Sequence, residues 1–175
     1  DAPLRGHGGH DWFWEPNREH IIYPLENLVE MYYNSVGHNS TLILGVTPNP
    51  DGLMPAADVK RLKEFGNEIN RRFSDPIARI SDTGNNTTLI LEKAQLIDHI
   101  ILEEEISNGE RVREFILEAN INGKWTTIYK GSSIGHKHIV KLDPVHTDKV
   151  RFVSLSSEGE PQIKSMSVYK IDPLQ

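Results

Sequence analysis

The sequence contains no cysteine. Disulfides, thiolate metal sites and a thiol nucleophile are excluded with it, although its absence is compatible with any redox compartment. No apolar run exceeds a few residues, so no segment has the length needed to cross a bilayer as a helix. Positive charge is not in excess: 19 Lys and Arg stand against 25 Asp and Glu, for a formal charge of −6. Without a basic stripe, nucleic acid is a poor partner. Without a polybasic patch, so is an anionic membrane surface. P-loop, GxSxG and dinucleotide fingerprints are missing, and no cofactor is implied. The opening stretch, Asp1 to His10, has neither a methionine nor the apolar core of a signal peptide. Residue 1 is therefore expected to lie inside a longer gene product.

Aromatic residues are few, and eight of the thirteen fall within residues 1–73. That shift divides the chain into two expected parts, 1–73 and 74–175. In the first, Leu25, Leu28, Val29, Tyr32, Tyr33 and Val36 fall at helical spacing after Pro24. Val59, Leu62, Phe65, Ile69 and Phe73 do the same after Pro55. Asp58 near the start and Arg71 and Arg72 near the end suit that helix's dipole. Between them Thr41–Val46 reads as a strand buried on both faces, as in a parallel sheet. Helix, buried strand, helix is one slice of a βαβ architecture, and a lone strand cannot close such a sheet.

Residues 74–175 follow another pattern. Strands are predicted at 88–91, 99–104, 113–121, 125–129, 138–142, 149–155 and 163–170. Phe115, Leu117, Ala119 and Ile121 alternate with their neighbours at the period of a strand, and Asn122-Gly123 marks a hairpin. Regularly punctuated short strands predict an antiparallel sandwich or jelly roll.

The densest chemistry is His7-Gly-Gly-His-Asp-Trp-Phe-Trp-Glu-Pro16, in a loop set by its glycines and proline. Aromatic faces stack on the apolar C–H face of a pyranose, and imidazole and carboxylate groups hydrogen-bond its hydroxyls. The alternative is that alternate aromatics pack into a core. His7 and His10 have a metal-ligand spacing only on a helix, which the two glycines between them oppose, and no metal is expected. His136 and His138 read as surface residues and the Glu103-Glu104-Glu105 run as solvated. Gly37-His38-Asn39-Ser40 reads as a helix-to-strand connection.

Tyr32-Tyr-Asn-Ser-Val-Gly-His-Asn-Ser-Thr-Leu-Ile-Leu-Gly-Val-Thr-Pro48, then Asp51-Gly-Leu-Met-Pro55 and Asp58-Val-Lys-Arg-Leu62, resemble the end of the catalytic barrel of glycoside hydrolase family 29, the α-L-fucosidases. The likeness is greatest to the branch acting on α-1,3/4-linked fucose. Gly45 and Thr47 replace the more usual Asn and Pro or Gly, and His38 stands where Arg or Lys is common. Asp11-Trp-Phe-Trp14 is similar to the family's Gly-Trp-Phe-Tyr segment beside the sugar pocket. Glu103–Val112, Asn122–Trp125, Gly131–Lys137 and Lys149–Phe152 are similar to the discoidin or galactose-binding sandwich that follows the barrel.

The resemblance implies a mixed fold: a terminal α-β-α slice of a (β/α)8 barrel in residues 1–73, then an all-β antiparallel sandwich of the galactose-binding jelly-roll type in 74–175. It implies a retaining glycosidase, with two carboxylates about 5–5.5 Å apart. Neither has a matching position here, so both are expected upstream and no catalytic residue is assigned. Substrate contacts are expected from Trp12 and Trp14, and from His10, Asp11 and Glu15, which match no family motif. A variant reading makes Glu15 or Asp11 a catalytic carboxylate. The expected partners are a fucosylated glycan and the remainder of the barrel, and the family resemblance suggests a periplasmic or secreted location. Two alternatives stay open: a carbohydrate-binding module contacting glycan through Trp125 or His136, and a purely structural C-terminal domain.

Overall fold

The computed structural model describes residues 1–9 and 12–174. They form two compact units, one of Asp1–Ser35 and Ser40–Ser74 with Leu174, the other of Val36–Asn39 and Asp75–Pro173.

In the first unit the two amphipathic stripes fold as helices α1 (Leu25–Asn34) and α2 (Ala56–Phe73). α1 buries Leu28, Val29 and Tyr33. The helices meet through aromatic rings: Tyr32 stacks on Phe73 with centroids 6.2 Å apart and meets Phe65 edge-on at 6.3 Å. Arg72 Nη1 donates to the Tyr33 hydroxyl at 3.1 Å. Arg71 and Arg72 both bond to Glu68, at 2.8 and 2.6 Å. The Arg71 hydrogen bond, with help from Arg72, holds the Glu68 carboxyl below the usual range against the opposing effect of burial.

The apolar run between the helices is strand only over β2 (Leu44–Gly45). It is not alone, as the sequence suggested. Strand β1 (Ala2–Pro3) pairs with it in parallel, Ala2 opposite Leu44 and Pro3 opposite Gly45. Ala2 N–H donates to Ile43 O at 3.0 Å and Leu4 N–H to Gly45 O at 2.8 Å. Two residues show no period, and Pro3 has no N–H to give the ladder, so the sequence carries no strand signal there.

The second unit is a six-stranded antiparallel sheet of β3 (Ala78–Thr83), β4 (Asn86–Glu104), β5 (Val112–Ile121), β6 (Lys124–Gly131), β7 (His138–Ser157) and β8 (Gln162–Tyr169), in the order β3-β8-β4-β7-β5-β6. Two pairs of predicted short strands are fused into β4 and β7. The β4–β7 register shifts between Ile90 and Gln95 and again between Ile97 and His99. Leu89, Leu91 and Ile97 are buried at odd positions, Ile100 and Leu102 at even ones. The irregularity therefore switches the side-chain parity and returns β4 to the core, as bulges do where a strand bends. Phe115 and Phe152 are the largest fully buried side chains and lie 5.6 Å apart, ring to ring. Asn122 (φ 53°) and Gly123 (φ 81°) close the β5–β6 hairpin, both left-handed as a type I′ turn requires.

Two polar readings need correction. Glu104 is buried, not solvated: Oε1 accepts the Arg111 and Val112 N–H groups at 2.7 and 3.0 Å, and Oε2 accepts Gly135 N–H at 3.3 Å. A strand points neighbours to opposite faces, so the middle of three glutamates can be inside while Glu103 and Glu105 are not. His138 is also buried, with Phe115 edge-on at 5.7 Å and Nε2 2.9 Å from the Tyr129 hydroxyl, whereas His136 is exposed. Asn39 sits against Gly135, where any β-carbon would overlap its amide. That amide accepts His136 N–H at 2.6 Å and donates to Glu110 Oε1 at 2.7 Å.

Candidate functional site

β1 and β2 run parallel, so the segments leaving them emerge at the same end. In parallel α/β folds that end carries the chemistry. The segment after β1 holds the aromatic cluster, and the one after β2 holds Thr47 to Met54.

The base of the aromatic loop is closed by backbone pairing. Tyr23 N–H donates to Leu4 O at 3.1 Å and His7 N–H to Ile21 O at 3.0 Å. Beneath it Arg5 Nε lies 3.1 Å from both Asp58 oxygens, with Nη2 2.7 Å from Oδ1. Both side chains are buried, and Asp58 lies in the first turn of α2. Arg61 Nη1 adds a bond to Tyr23 O at 3.1 Å. The loop therefore stands on a charge-paired footing that spans 53 positions of sequence.

Above that footing the two segments meet at Trp12. Thr47 Oγ1 donates to the Trp12 carbonyl at 3.2 Å. The indole edge, at Cζ3, lies against the Gly45 backbone, where an added β-carbon would be 3.2 Å away. Trp12 remains 52% exposed and Phe13 84% exposed. On the other segment Asn49 Oδ1 accepts the N–H groups of Asp51 and Leu53, at 3.1 and 2.9 Å, an Asx turn that leaves Leu53 and Met54 exposed. Trp12, Phe13, Leu53 and Met54 are thus four exposed large apolar side chains on segments that leave the same strand ends.

The remaining expected contacts are placed unevenly. Trp14 is half-buried. Glu15 is exposed, with Arg18 Nε 4.0 Å from its Oε2. His7 is exposed and meets Tyr23 edge-on, ring centroids 5.8 Å apart. His10 and Asp11 lie outside the described residues. Among the described residues no group of three His, Asp or Glu side chains is placed to hold a metal.

In the second unit Trp125 is half-buried, and the Arg151 guanidinium sits 4.4 Å above its ring. Arg151 is itself fixed by Glu118, with Nε 2.8 Å from Oε2. One face of the indole is thus covered by a cation–π partner. Sequence reasoning missed Arg5, Asp58 as its partner, and the seat that Gly45 makes. The pattern around Asp58 marked a helix start but did not reveal a partner so far away in sequence.

The family described as Alpha-L-fucosidase matches residues 4–72. Alpha-L-fucosidase 1 of Arabidopsis thaliana is 27% identical over 90% of this chain, which spans 38% of that protein. A solved structure from Bacteroides thetaiotaomicron, assigned provisionally to the α-L-fucosidases, is 52% identical with a TM-score of 0.96, over 98% of this chain and 40% of that one. A Ruminococcus gnavus glycoside hydrolase 29 fucosidase solved with fucose is 26% identical with a TM-score of 0.80, over 97% of this chain and 40% of that one.

Proposed function

We propose, from the premise that this chain belongs to the α-L-fucosidases of glycoside hydrolase family 29, that it is the C-terminal part of a retaining enzyme that removes terminal α-linked fucose from oligosaccharides or glycoconjugates. Residues 1–73 are the last slice of a (β/α)8 barrel, with β2 as its final strand. Residues 74–175 are a β-sandwich of the galactose-binding type. The half-burial of Val59, Leu62, Phe65, Ile69 and Phe73 along α2 supports the first assignment, because a barrel helix covers that stripe with more sheet than two residues of β2 supply.

The observation that carries the reading is Trp12. It stands at the C-terminal end of a parallel strand pair, anchored by Thr47 and Gly45 and open on its remaining surface. Active sites of barrel enzymes lie at that end. An indole there offers a flat apolar wall to the C–H face of a sugar and excludes water from the reacting carbon. The fucose complex of the Ruminococcus relative supports fucose as the sugar. The nucleophile and the acid/base come from earlier barrel strands, and this chain shapes and dries the pocket they act in. Trp14, His10, Asp11 and Glu15 are the further candidates for substrate contact. The partners are then a fucosylated glycan and the rest of the barrel.

For residues 74–175 the covered face of Trp125 favours a structural role over glycan binding. The test is hydrolysis of 4-nitrophenyl α-L-fucoside by the full-length protein, with the anomer of the released sugar followed by proton NMR. Fucose appearing first as the α-anomer is expected. No release, or first appearance of the β-anomer, contradicts the reading. A panel of α-1,2-, α-1,3- and α-1,4-fucosylated oligosaccharides is expected to show preference for the last two.

A further inference from the structure

Gly45 lies under the edge of Trp12, whose Cζ3 would be 3.2 Å from a β-carbon added there. Its φ is not in the left-handed region, unlike that of seven other glycines. The backbone therefore does not demand glycine here. Pro3 Cα and Ala2 O, at 3.7 and 3.8 Å from an added β-carbon, are ordinary contacts. Only Trp12 Cζ3, at 3.2 Å, is too close, so a side chain at this position must displace the indole by at least a few tenths of an ångström. The second anchor, Thr47 Oγ1, lies two residues further along the same strand end and fixes the Trp12 backbone. Ring and backbone of one exposed tryptophan are thus positioned from a single stretch, Gly45 to Thr47.

We infer that Gly45 and Thr47 are positioning residues that set the depth and tilt of Trp12, and through it the fit of the sugar against the pocket wall. This deepens the reading of Trp12 as a wall of a fucoside pocket and rests on it. Neither residue itself touches the sugar. Substitution at Gly45 pushes the wall inward and narrows the site for a deoxyhexose. Loss of the Thr47 hydroxyl releases the loop without narrowing the site.

The test uses the full-length protein in two independent readouts. In the first, the protein is labelled with 5-fluorotryptophan, and the Trp12 resonance is identified by its loss in Trp12→Phe. Gly45→Ala and Thr47→Val are expected to move that resonance, and Thr47→Ser to leave it in place. In the second, Gly45→Ala is expected to raise KM for 4-nitrophenyl α-L-fucoside about tenfold with kcat changed less than about threefold, since misplacing a positioning group weakens binding geometry. In a Trp12→Ala background the same substitution is expected to change KM less than about twofold, because coupled residues are not additive. An unmoved Trp12 resonance in Gly45→Ala, or an equal KM effect in both backgrounds, overturns the inference. A purely structural effect lowers kcat through the active fraction and leaves KM alone, and that result also overturns it. If the wild-type protein hydrolyses no fucoside, the proposed function fails, while the fluorine resonance still decides whether Gly45 seats Trp12.

Discussion

Single residues carry much of this structure through buried polar chemistry. The Glu104 carboxylate gathers three backbone N–H groups from the segments that lead into β5 and β7. Each buried donor left without a partner costs about 1–3 kcal/mol. Glu104→Ala is therefore expected to destabilise the protein by at least about 3 kcal/mol, read as a loss in denaturant midpoint, and Glu104→Gln by less, because one carbonyl oxygen remains. The Arg5–Asp58 pair is equally enclosed. Asp58→Asn or Arg5→Met alone is expected to cost about 3–5 kcal/mol, since the first leaves Arg5 with the exposed Glu19 carboxylate 4.0 Å away in place of its close partner and the second strips the buried Asp58 of its guanidinium, while the apolar double variant Arg5→Met with Asp58→Leu costs less than the sum.

His138 gives a pH signature. Burial, then the nearby His38, lower its pKa to about 4, with the Ser133 carbonyl opposing. The ordinary value is 6.5, so between those values the unfolded chain binds a proton that the folded one does not. Stability from this group is complete above pH 6.5 and is lost as pH falls towards 4, to a total of roughly 3 kcal/mol. Chemical denaturation at stepped pH is expected to show that slope, and His138→Gln to flatten it. Asp98 and Glu103 are held below their usual ranges by partners that outweigh burial, so their share of stability is lost as pH falls below about 4.5, where Glu103 overlaps the lower end of the His138 window. None of these roles was legible from the sequence. A glutamate in a run of three and a histidine two positions from another look alike whether they face water or a core.

At the scale of elements, legibility followed the number of residues over which a pattern repeats. The 3.6-residue stripes of α1 and α2 and the alternation in β5 recur often enough to fix type and face. The Asn122-Gly123 turn is equally plain, and Gly123→Ala is expected to destabilise the hairpin by about 1–2 kcal/mol by forcing a β-carbon into the left-handed region. β4 and β7 were read as shorter pieces because their apolar parity changes at the register shifts, which in a sequence looks like an end rather than a bend. β1 was invisible, since two residues cannot display a period and their pairing lies with residues more than forty positions away. The candidate site suffered the same loss. The aromatic cluster could be found by composition, but the strand end that receives it, and the glycine that makes room for it, belong to a contact between distant segments.

For the whole molecule, the described residues form two compact units with different chemistry. The second holds a continuous apolar core around Phe115 and Phe152. The first leaves Trp12, Phe13, Leu53 and Met54 exposed beside a parallel sheet of two strands. The chain spans about two fifths of the relatives it matches. The proposed activity requires the aromatic loop at the strand ends to wall a fucose pocket. It is tested most directly by comparing kcat/KM of the full-length protein and its Trp12→Ala variant on 4-nitrophenyl α-L-fucoside, with folding checked by thermal unfolding. The expected result is a folded variant that has lost about 10- to 100-fold in kcat/KM. A folded variant as active as the wild type would contradict it.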